Sequence, residues 1–248
     1  DAAEADIILA PDGNVGIGIA SPGSLLEISK DSANAIMTIS THHNTEATYS
    51  GITLQKADNT QASPALVDDD AVLGKIEFKG YDGSNYIDAA KIIAKIDGTP
   101  ATNDMPTELI FYTNQGGAGV TQAMVIDESG NVGIGTDSPY GTLHVKNASA
   151  GSIVIETASD SVGVESTLFF RTVSEASNTK TKGAIIFEKT HGAGVGKLHL
   201  CVDGAEDAAN VVLADSKMAI DKDGNVGINE TSPAHKLDVD GGIVEQGG

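Results

Sequence analysis

Short runs of apolar and polar residues alternate along the chain, and turn residues separate the runs. Clear examples of the alternation are residues 89–96 and 197–202. A period of two places successive side chains on opposite faces of a strand, so this pattern predicts half-buried β-strands. No stretch of four turns or more shows the 3.6-residue period of an amphipathic helix. The sequence therefore predicts an all-β fold.

One pattern of turn, strand and proline occurs three times, at residues 12–22, 129–139 and 223–233. An apolar strand precedes each copy and another follows it, at 7–9 and 26–28, 124–126 and 143–145, and 218–220 and 237–239. Asp-Gly-Asn or Ser-Gly-Asn between two apolar runs indicates a hairpin turn, because Gly and Asn adopt positive φ at little cost. The Ser-Pro pair ends the strand, because proline has no N–H to donate to a ladder. We call these stretches the connectors.

Each connector strand has one β-branched face and one nearly bare face. Val and Ile alternate there with Gly, and a glycine face lets another backbone approach closely. We expect a partner chain to make that approach, with the Val and Ile side chains buried near the axis of an assembly. The third copy departs from the pattern, because Asn229 replaces its last glycine. The predicted structural residues are Gly13, Asn14, Val15, Gly16, Ile17 and Gly18, then Gly130, Asn131, Val132, Gly133, Ile134 and Gly135, and finally Gly224, Asn225, Val226, Gly227 and Ile228.

The connectors punctuate two larger modules. Gly130 follows Gly13 by 117 residues, and Gly224 follows Gly130 by 94. The predicted order is an N-terminal connector at 1–28, a first module at 29–123, a connector at 124–145, a second module at 146–217 and a C-terminal connector at 218–248.

The first module is the longer one. Residues 74–78 resemble 183–187, and residues 108–112 resemble 197–201. This alignment leaves about 20 extra residues in the first module, roughly one hairpin by the usual lengths of strands. We predict that the extra hairpin lies at 79–107.

Tyr81 and Tyr86 form the candidate surface contact. They flank an Asp-Gly-Ser-Asn turn that should be the exposed tip of the hairpin. Tyr together with Ser, Gly and Asn makes adaptable contacts with little loss of side-chain entropy. The alternative is that both rings pack beside the hairpin strands or across a subunit boundary.

The connector resembles one that is common in phage tail fibres and other virion fibres. Its pattern is Met/Ile-x-Ile-Asp-x-x-Gly-Asn-Val-Gly-Ile-Gly-x-x-x-Pro followed by Leu-x-Val, and residues 94–111 also look like the module between such connectors. The resemblance covers roughly residues 5–241. It implies an elongated homotrimeric fibre on the virion, in which three chains share an axial core. The modules would be β-sandwich, β-prism or β-helix-like, and the partners would be two further copies, other virion proteins and a host-surface glycan or protein.

Composition and charge narrow the classes of function. The chain has 29 Gly, 10 Phe and Tyr together and no Trp, which suits a thin architecture whose core is shared between neighbouring chains. It carries 35 Asp and Glu against 15 Lys and Arg, a net charge of −20, so nucleic acid and anionic membranes would repel it. No apolar run approaches the length of a membrane span. Cys201 is the only cysteine and is expected to be a packed thiol in a strand.

No catalytic or cofactor-binding signature stands out. After Gly16 and Gly18, a dinucleotide loop would need a third glycine where Ser21 stands. The glycine-rich stretch 191–197 begins with His and is followed by Leu198 rather than Ser or Thr, so it is a poor phosphate loop. We find no nucleophile elbow and no clustered Ser, His and Asp. We therefore predict no enzymatic activity, no catalytic residue, no cofactor and no metal site.

Three weaker cation hypotheses remain open beside that prediction. Residues 221–225 resemble half of a calcium loop, although a hairpin turn explains all three copies. The acidic run 68–70 could bind a cation in a trimer, although a solvated loop is the usual role of such a run. His42 or His43 could line a three-fold axis and form a three-histidine site.

The sequence favours a structural subunit of a phage virion fibre, on the tail or the head, that acts as a spacer and as a candidate for host attachment. The alternative is a bacterial surface adhesin or extracellular filament built from the same modules. A glycan-cleaving tail spike is the third hypothesis, and the lack of Trp for stacking sugars weighs against it.

Overall fold

The structure is a computed structural model that describes residues 7–11, 13–31, 33–42, 48–117, 119–171, 181–205 and 209–241. Within these ranges it contains strands, turns and one 3-10 turn at Leu213–Asp215, and no α-helix. The strands are β1 (Ile7–Leu9), β2 (Val15–Ile17), β3 (Leu26–Ile28), β4 (Asp58–Thr60), β5 (Ser63–Ala65), β6 (Val72–Tyr81), β7 (Tyr86–Ile96), β8 (Thr107–Thr113), β9 (Thr121–Ile126), β10 (Val132–Ile134), β11 (Leu143–Val145), β12 (Glu165–Phe170), β13 (Gly183–Lys189), β14 (Gly196–Val202), β15 (Ser216–Ile220), β16 (Val226–Ile228) and β17 (Leu237–Val239). The predicted all-β fold is confirmed.

The chain divides into two compact units, Asp1–Lys146 and Asn147–Gly248. The first unit holds a three-stranded sheet (β1-β2-β3), a two-stranded sheet (β4-β5) and a six-stranded sheet in the order β11-β10-β9-β8-β7-β6. The second unit holds a six-stranded sheet in the order β12-β13-β14-β15-β16-β17. In both large sheets each strand therefore pairs with the next one along the chain.

The two six-stranded sheets share one plan. Their first four strand pairs are antiparallel, and their last pair, β10–β11 or β16–β17, is parallel. The β2–β3 pair of the first connector is also parallel. Each connector is thus an antiparallel hairpin followed by a short crossover into a parallel edge strand.

The prediction of an extra hairpin in the first module is wrong. The hairpin β6–β7 leads into β8 in the same way that β12–β13 leads into β14. Residues 183–187 lie in β13, the counterpart of β7, whereas residues 74–78 lie in β6. The first module is longer because β6 and β7 have 10 and 11 residues against 6 and 7 in β12 and β13, and because the β4–β5 hairpin precedes β6.

Each connector turn is a tight hairpin loop with a positive-φ glycine. Gly13, Gly130 and Gly224 have φ of 87°, 81° and 71°. Each donates its N–H to the carbonyl oxygen three residues earlier, at 2.9 to 3.1 Å. This is the three-residue loop in which a type I turn is followed by a left-handed residue, so glycine is the residue that fits there.

The bare face of each connector strand is covered by the chain itself. A Cβ at Gly133 would lie 2.6 Å from the carbonyl oxygen of Thr136, and one at Gly227 would lie 1.9 Å from that of Glu230. Gly16 meets the carbonyl oxygen of Ile19 in the same way, at 2.3 Å. The close approach that the sequence predicted does occur. The expectation that a partner chain packs against this glycine face is wrong, because the turn that follows each strand already occupies the space.

The chain reaches that position through a left-handed residue at the end of the strand. Gly18 and Gly135 have φ of 74° and 71°, and Asn229 has φ of 52° in the third copy. Asn is one of the few residues that tolerate this region. Although Asn229 replaces the glycine, the third connector therefore follows the same backbone path as the first two.

The buried core of the second unit is small. Ala184, Ile186, Cys201 and Val211 form one cluster, and Leu213 packs against it. Cys201 is buried in this cluster, and burial raises the pKa of its thiol, as expected for a packed cysteine. The core lies on one face of the sheet only. The opposite face is therefore the surface on which a candidate site can lie.

Replacing Gly133 by Ala should destabilise the protein. The added methyl group would collide with a backbone carbonyl rather than with a flexible side chain. We expect Gly133→Ala to lower the free energy of unfolding by about 1–3 kcal/mol, the usual cost of overpacking. Denaturant unfolding at fixed protein concentration measures the change. The matched control is Gly141→Ala in the same connector, where a Cβ meets nothing within 4 Å. Equal stability of the two variants would contradict this account of the glycine face.

Candidate functional site

Each six-stranded sheet presents a face of two apolar rows. Residues that pair directly across strands share a face, so the register defines the rows. In the first sheet they are Gly74, Ala94, Leu109, Ile126, Val132 and Leu143, and Ile76, Ile92, Phe111, Met124, Ile134 and Val145. In the second sheet they are Ser166, Phe187, Leu198, Ile220, Val226 and Leu237, and Leu168, Ile185, Leu200, Met218, Ile228 and Val239. We call these rows the apolar faces.

The apolar faces are open and uncharged. None of their residues is buried, and none carries a charge. The three-stranded sheet of the first connector continues the pattern, with Leu9, Val15 and Leu26 in one row and Ile7, Ile17 and Ile28 in the other. Contiguous exposed apolar surface of this kind marks a contact surface in a soluble protein.

The opposite face of each sheet is the one that the chain fills. Ile110 and Val125 are buried there in the first sheet, and Ile186 and Ala219 are buried there in the second. Charged residues also lie on this side, and Lys95 and Glu108 pair across β7 and β8 at 2.7 Å. Glu108 and Asp70 raise the pKa of Lys95, so this lysine is protonated at neutral pH. The glycines of the connectors thus face inward within each chain, and their Val and Ile side chains lie on the open face.

Leu54 lies at the border of the first apolar face. A Cβ at Gly74 would lie 2.9 Å from the Leu54 Cβ, so the glycine makes room for this side chain. Neither residue belongs to a motif that stands out in the sequence. Their relation depends on where the segment before β4 crosses the sheet, which no local pattern encodes.

His199 is a buried polar residue that was not among the predicted site residues. Its Nδ1 lies 3.0 Å from the Ser216 Oγ, and its Nε2 lies 3.4 Å from a Glu188 carboxylate oxygen without forming a hydrogen bond of good geometry. Burial lowers the pKa of the imidazole, more strongly than the neighbouring Glu188 carboxylate raises it. His199 is therefore neutral near pH 7. Its alternation with Leu198 and Leu200 was the available signal, since it places the ring on the filled face.

In two of the connector turns, an aspartate at the start of the turn holds the turn by hydrogen bonds. One carboxylate oxygen of Asp221 accepts the main-chain N–H groups of Asp223 and Asn225, both at 2.9 Å, and the other accepts the Asn225 side-chain amide at 3.0 Å. Asp127 makes the same three contacts with Ser129 and Asn131. Ala10 stands at this position in the first connector. Both oxygens of Asp221 are used within the turn, which favours the hairpin interpretation of residues 221–225 over the calcium one.

The other cation hypotheses gain no support from the geometry. Asp69 accepts the Gly98 N–H at 2.9 Å, and Asp70 pairs with Lys95 at 2.9 Å, so this acidic run is tied to the end of the sheet. His42 is exposed, and His43 lies outside the described residues. Across the part of the chain that the structure describes, no three His, Cys, Asp or Glu side chains come together as metal ligands.

The two tyrosines of the candidate surface contact form an exposed pair. Tyr81 and Tyr86 face each other across the end of the β6–β7 hairpin, with ring centroids 5.3 Å apart. Their side chains are 61% and 72% exposed. The Asp82 carboxylate holds the turn between them, because it accepts the N–H groups of Ser84 and Asn85 at 2.7 Å. Alternation along β6 places Tyr81 on the charged face, opposite Ile76 and the apolar rows.

Among the described residues, no helix has both the length and the apolarity needed to cross a membrane.

Comparisons with known proteins give likenesses to solved structures and no family. No protein-family model matches the chain, and no curated protein sequence matches it significantly. It is similar to the carboxy-terminal domain of the bacteriophage T5 L-shaped tail fibre with its intramolecular chaperone domain, at 10% identity and a TM-score of 0.38, over 86% of this chain and 68% of that one. It is also similar to that carboxy-terminal domain in a second structure, at 11% identity and a TM-score of 0.32, over 85% and 94% of the two chains. Both TM-scores lie below 0.5.

The aspartates of the connector turns should make stability depend on pH. The Asn225 N–H, above all, holds the pKa of Asp221 below its ordinary value, although partial burial works against it. A carboxylate with a depressed pKa in the folded state stabilises that state above the unfolded pKa of about 3.9, and this contribution is lost as the pH falls through the folded value. We therefore expect Asp221→Ala to lower the Tm at pH 7 and to change it much less near pH 2. The matched control is Asp223→Ala, since among the described residues that carboxylate pairs only with the neighbouring Lys222. An equal Tm difference at both pH values would contradict this role for Asp221.

Proposed function

We propose that the chain is a non-enzymatic structural subunit of a homotrimeric fibre on a phage virion, on its tail or its head, where it acts as a spacer. The apolar faces carry this proposal. Three copies of each sheet would meet with these faces inward around a common axis, and the charged faces would point outward to solvent.

The size of the uncovered surface argues that the chain does not act alone. Burying a Leu, Ile or Phe side chain fully stabilises a fold by about 1.5–3 kcal/mol, and the large side chains of the two rows in each sheet are only half-buried or exposed here. A single-layer sheet with one open apolar face is a poor independent domain, since a stable domain packs two layers around a core. A second layer from another copy would provide the missing core.

The charge of the chain argues that copies of itself are the partners. A net charge of −20 makes two copies repel each other wherever charged surfaces meet. The apolar faces and the two apolar rows of the three-stranded sheet contain no charge, so they are the surfaces on which like chains can associate. Both sheets repeat the same row pattern, which suits the same symmetric contact at each module.

The number of copies rests on the resemblance of the connector to those of virion fibres. Two copies would cover one face with another, whereas three faces close a triangular core around an axis. The connector sequence at 129–139 and its two relatives favours the trimer. A virion location follows from the same resemblance.

Assembly is tested by mass and by a charge placed on the apolar face. Light scattering should give three times the 25.3 kDa chain mass. Ile134→Asp should prevent assembly or lower the Tm strongly, because a buried trimer contact would bring three unpaired carboxylates together, at a cost of several kcal/mol. The matched control is Ser129→Asp, which adds the same charge in the turn where the third connector carries Asp223. A stable 25.3 kDa monomer, or an Ile134→Asp trimer with an unchanged Tm, would sink the proposal.

The exposed tyrosine pair favours host attachment as a second function. Tyr81 and Tyr86 lie on the face that points outward in the proposed trimer, at the end of a hairpin that is paired up to its hydrogen-bonded turn. Three copies of one weak contact raise the overall affinity without new chemistry. A host-surface glycan or protein is the partner that such a site would meet.

Attachment is tested by adsorption of particles that carry variant fibres. Replacing Tyr81 and Tyr86 together by Ala should slow adsorption to host cells by at least about tenfold, which corresponds to roughly 1.4 kcal/mol of binding. Tyr140→Ala is the matched control, because Tyr140 is 95% exposed but lies outside the hairpin. If the trimer forms and adsorption by both variants equals that of the unchanged fibre, this segment is a spacer only.

A further inference from the structure

Two apolar segments have the sequence of strands but no strand partner. They are residues 35–39, Ala-Ile-Met-Thr-Ile, and residues 152–156, Ser-Ile-Val-Ile-Glu. β-branched residues favour strands, yet neither segment belongs to a sheet. Their large side chains are exposed, Ile36 by 71% and Val154 by 80%. No backbone group of either segment is hydrogen-bonded to another group of the described residues.

The two segments occupy the same place in the repeat. Ile36 lies eight residues after Ile28, the last residue of β3, and Ile153 lies eight residues after Val145, the last residue of β11. A single exposed apolar segment could arise by chance. Its recurrence at the same spacing after two connectors marks it as a part of the architecture.

Each six-stranded sheet has an open edge that could receive a strand. In the ladders of the described residues, β6 pairs only with β7 and β12 pairs only with β13. Leu168, Phe169 and Phe170 of β12 are exposed, so this edge is apolar as well as unpaired. An edge of this kind is a template for strand addition by another chain.

We propose that, in the assembled protein, segments 35–39 and 152–156 become strands by pairing with a second copy of this chain, along the free edges of its β6 and β12 respectively. This inference rests on the homotrimer proposed above and adds an exchange of strands to it. Each copy would give a strand to the next copy and receive one from the previous copy. Such a head-to-tail contact forms a closed ring when the rotation between copies closes, and in the proposed trimer it would close after three copies.

Charge identifies the occupant as a second copy. Residues 35–39 carry no charge and residues 152–156 carry one, at Glu156. In a chain with a net charge of −20, such segments are the surfaces that a like chain can approach without repulsion. A foreign partner would more naturally be recognised through the charged face.

Hydrogen exchange of the assembled protein, read by mass spectrometry, is the first test. Amides of 35–39 and 152–156 should exchange at least about tenfold more slowly than in unstructured peptides of the same sequence.

Val154→Pro should weaken assembly, because proline removes a ladder donor. Ala148→Pro is the matched control. Ala148 lies in a turn in which the Asn147 side chain accepts the Ser149 N–H, and the N–H of Ala148 donates to no group of the described residues.

A photo-crosslinker at position 154 identifies the acceptor chain. In trimers reassembled from equal amounts of ¹⁴N-labelled and ¹⁵N-labelled chains, crosslinks to β12 should include mixed-isotope pairs. Crosslinks within one isotope only would show pairing inside the same chain and overturn the inference. Trimers in which both segments exchange as fast as the peptides would also overturn it and leave the proposed trimer intact. A protein that stays monomeric at every concentration would refute the trimer and this inference together.

Discussion

The uncovered apolar face of each six-stranded sheet is the constraint on which the rest of the structure depends. A sheet has two faces, and this chain fills only one of them. It does so with the small Ala184, Ile186, Cys201 and Val211 cluster in one unit, and with Ile110 and Val125 in the other. The remaining face is uncharged over two complete rows. Exposed apolar area of this extent is unfavourable in water. The role of the protein therefore depends on which partner covers this face.

The connector glycines explain which face is left open. The carbonyl oxygens of Ile19, Thr136 and Glu230 sit where a Cβ would be on Gly16, Gly133 and Gly227. Each strand is thereby closed on its glycine side by its own following turn. Val and Ile are left on the other side, next to the rows from the longer strands. A single local motif thus sets the polarity of the sheet at both modules and joins each hairpin to a parallel edge strand.

Local chemistry made much of this predictable. Positive φ at Gly13, Gly130 and Gly224 was readable because a tight turn between two apolar runs leaves few other conformations. The strands on both sides of each connector followed from the period of two. The sequence did not predict which group covers the glycine face, since this depends on the path of the chain three residues later.

Alignment of the two modules failed for a related reason. A Gly followed by alternating Ile and Phe describes both β6 and β13, and the letters alone do not tell which ladder neighbour each strand has. The register does, because Ile93 opposes Ile110 as Ile186 opposes His199. His199 itself was missed because a lone histidine in an apolar run gives no sign of burial until the face it occupies is known.

Oxidation of the methionines tests most directly whether the apolar faces are covered by other copies. Met124 and Met218 lie in the apolar rows, whereas Met105 lies exposed in the loop between β7 and β8. Hydrogen peroxide converts accessible methionine to the sulfoxide, and peptide mass spectrometry gives the rate at each residue. The account predicts that Met105 is oxidised quickly in the native protein, while Met124 and Met218 react much more slowly and become reactive only on dissociation. Oxidation of all three at similar rates in the native protein would contradict it.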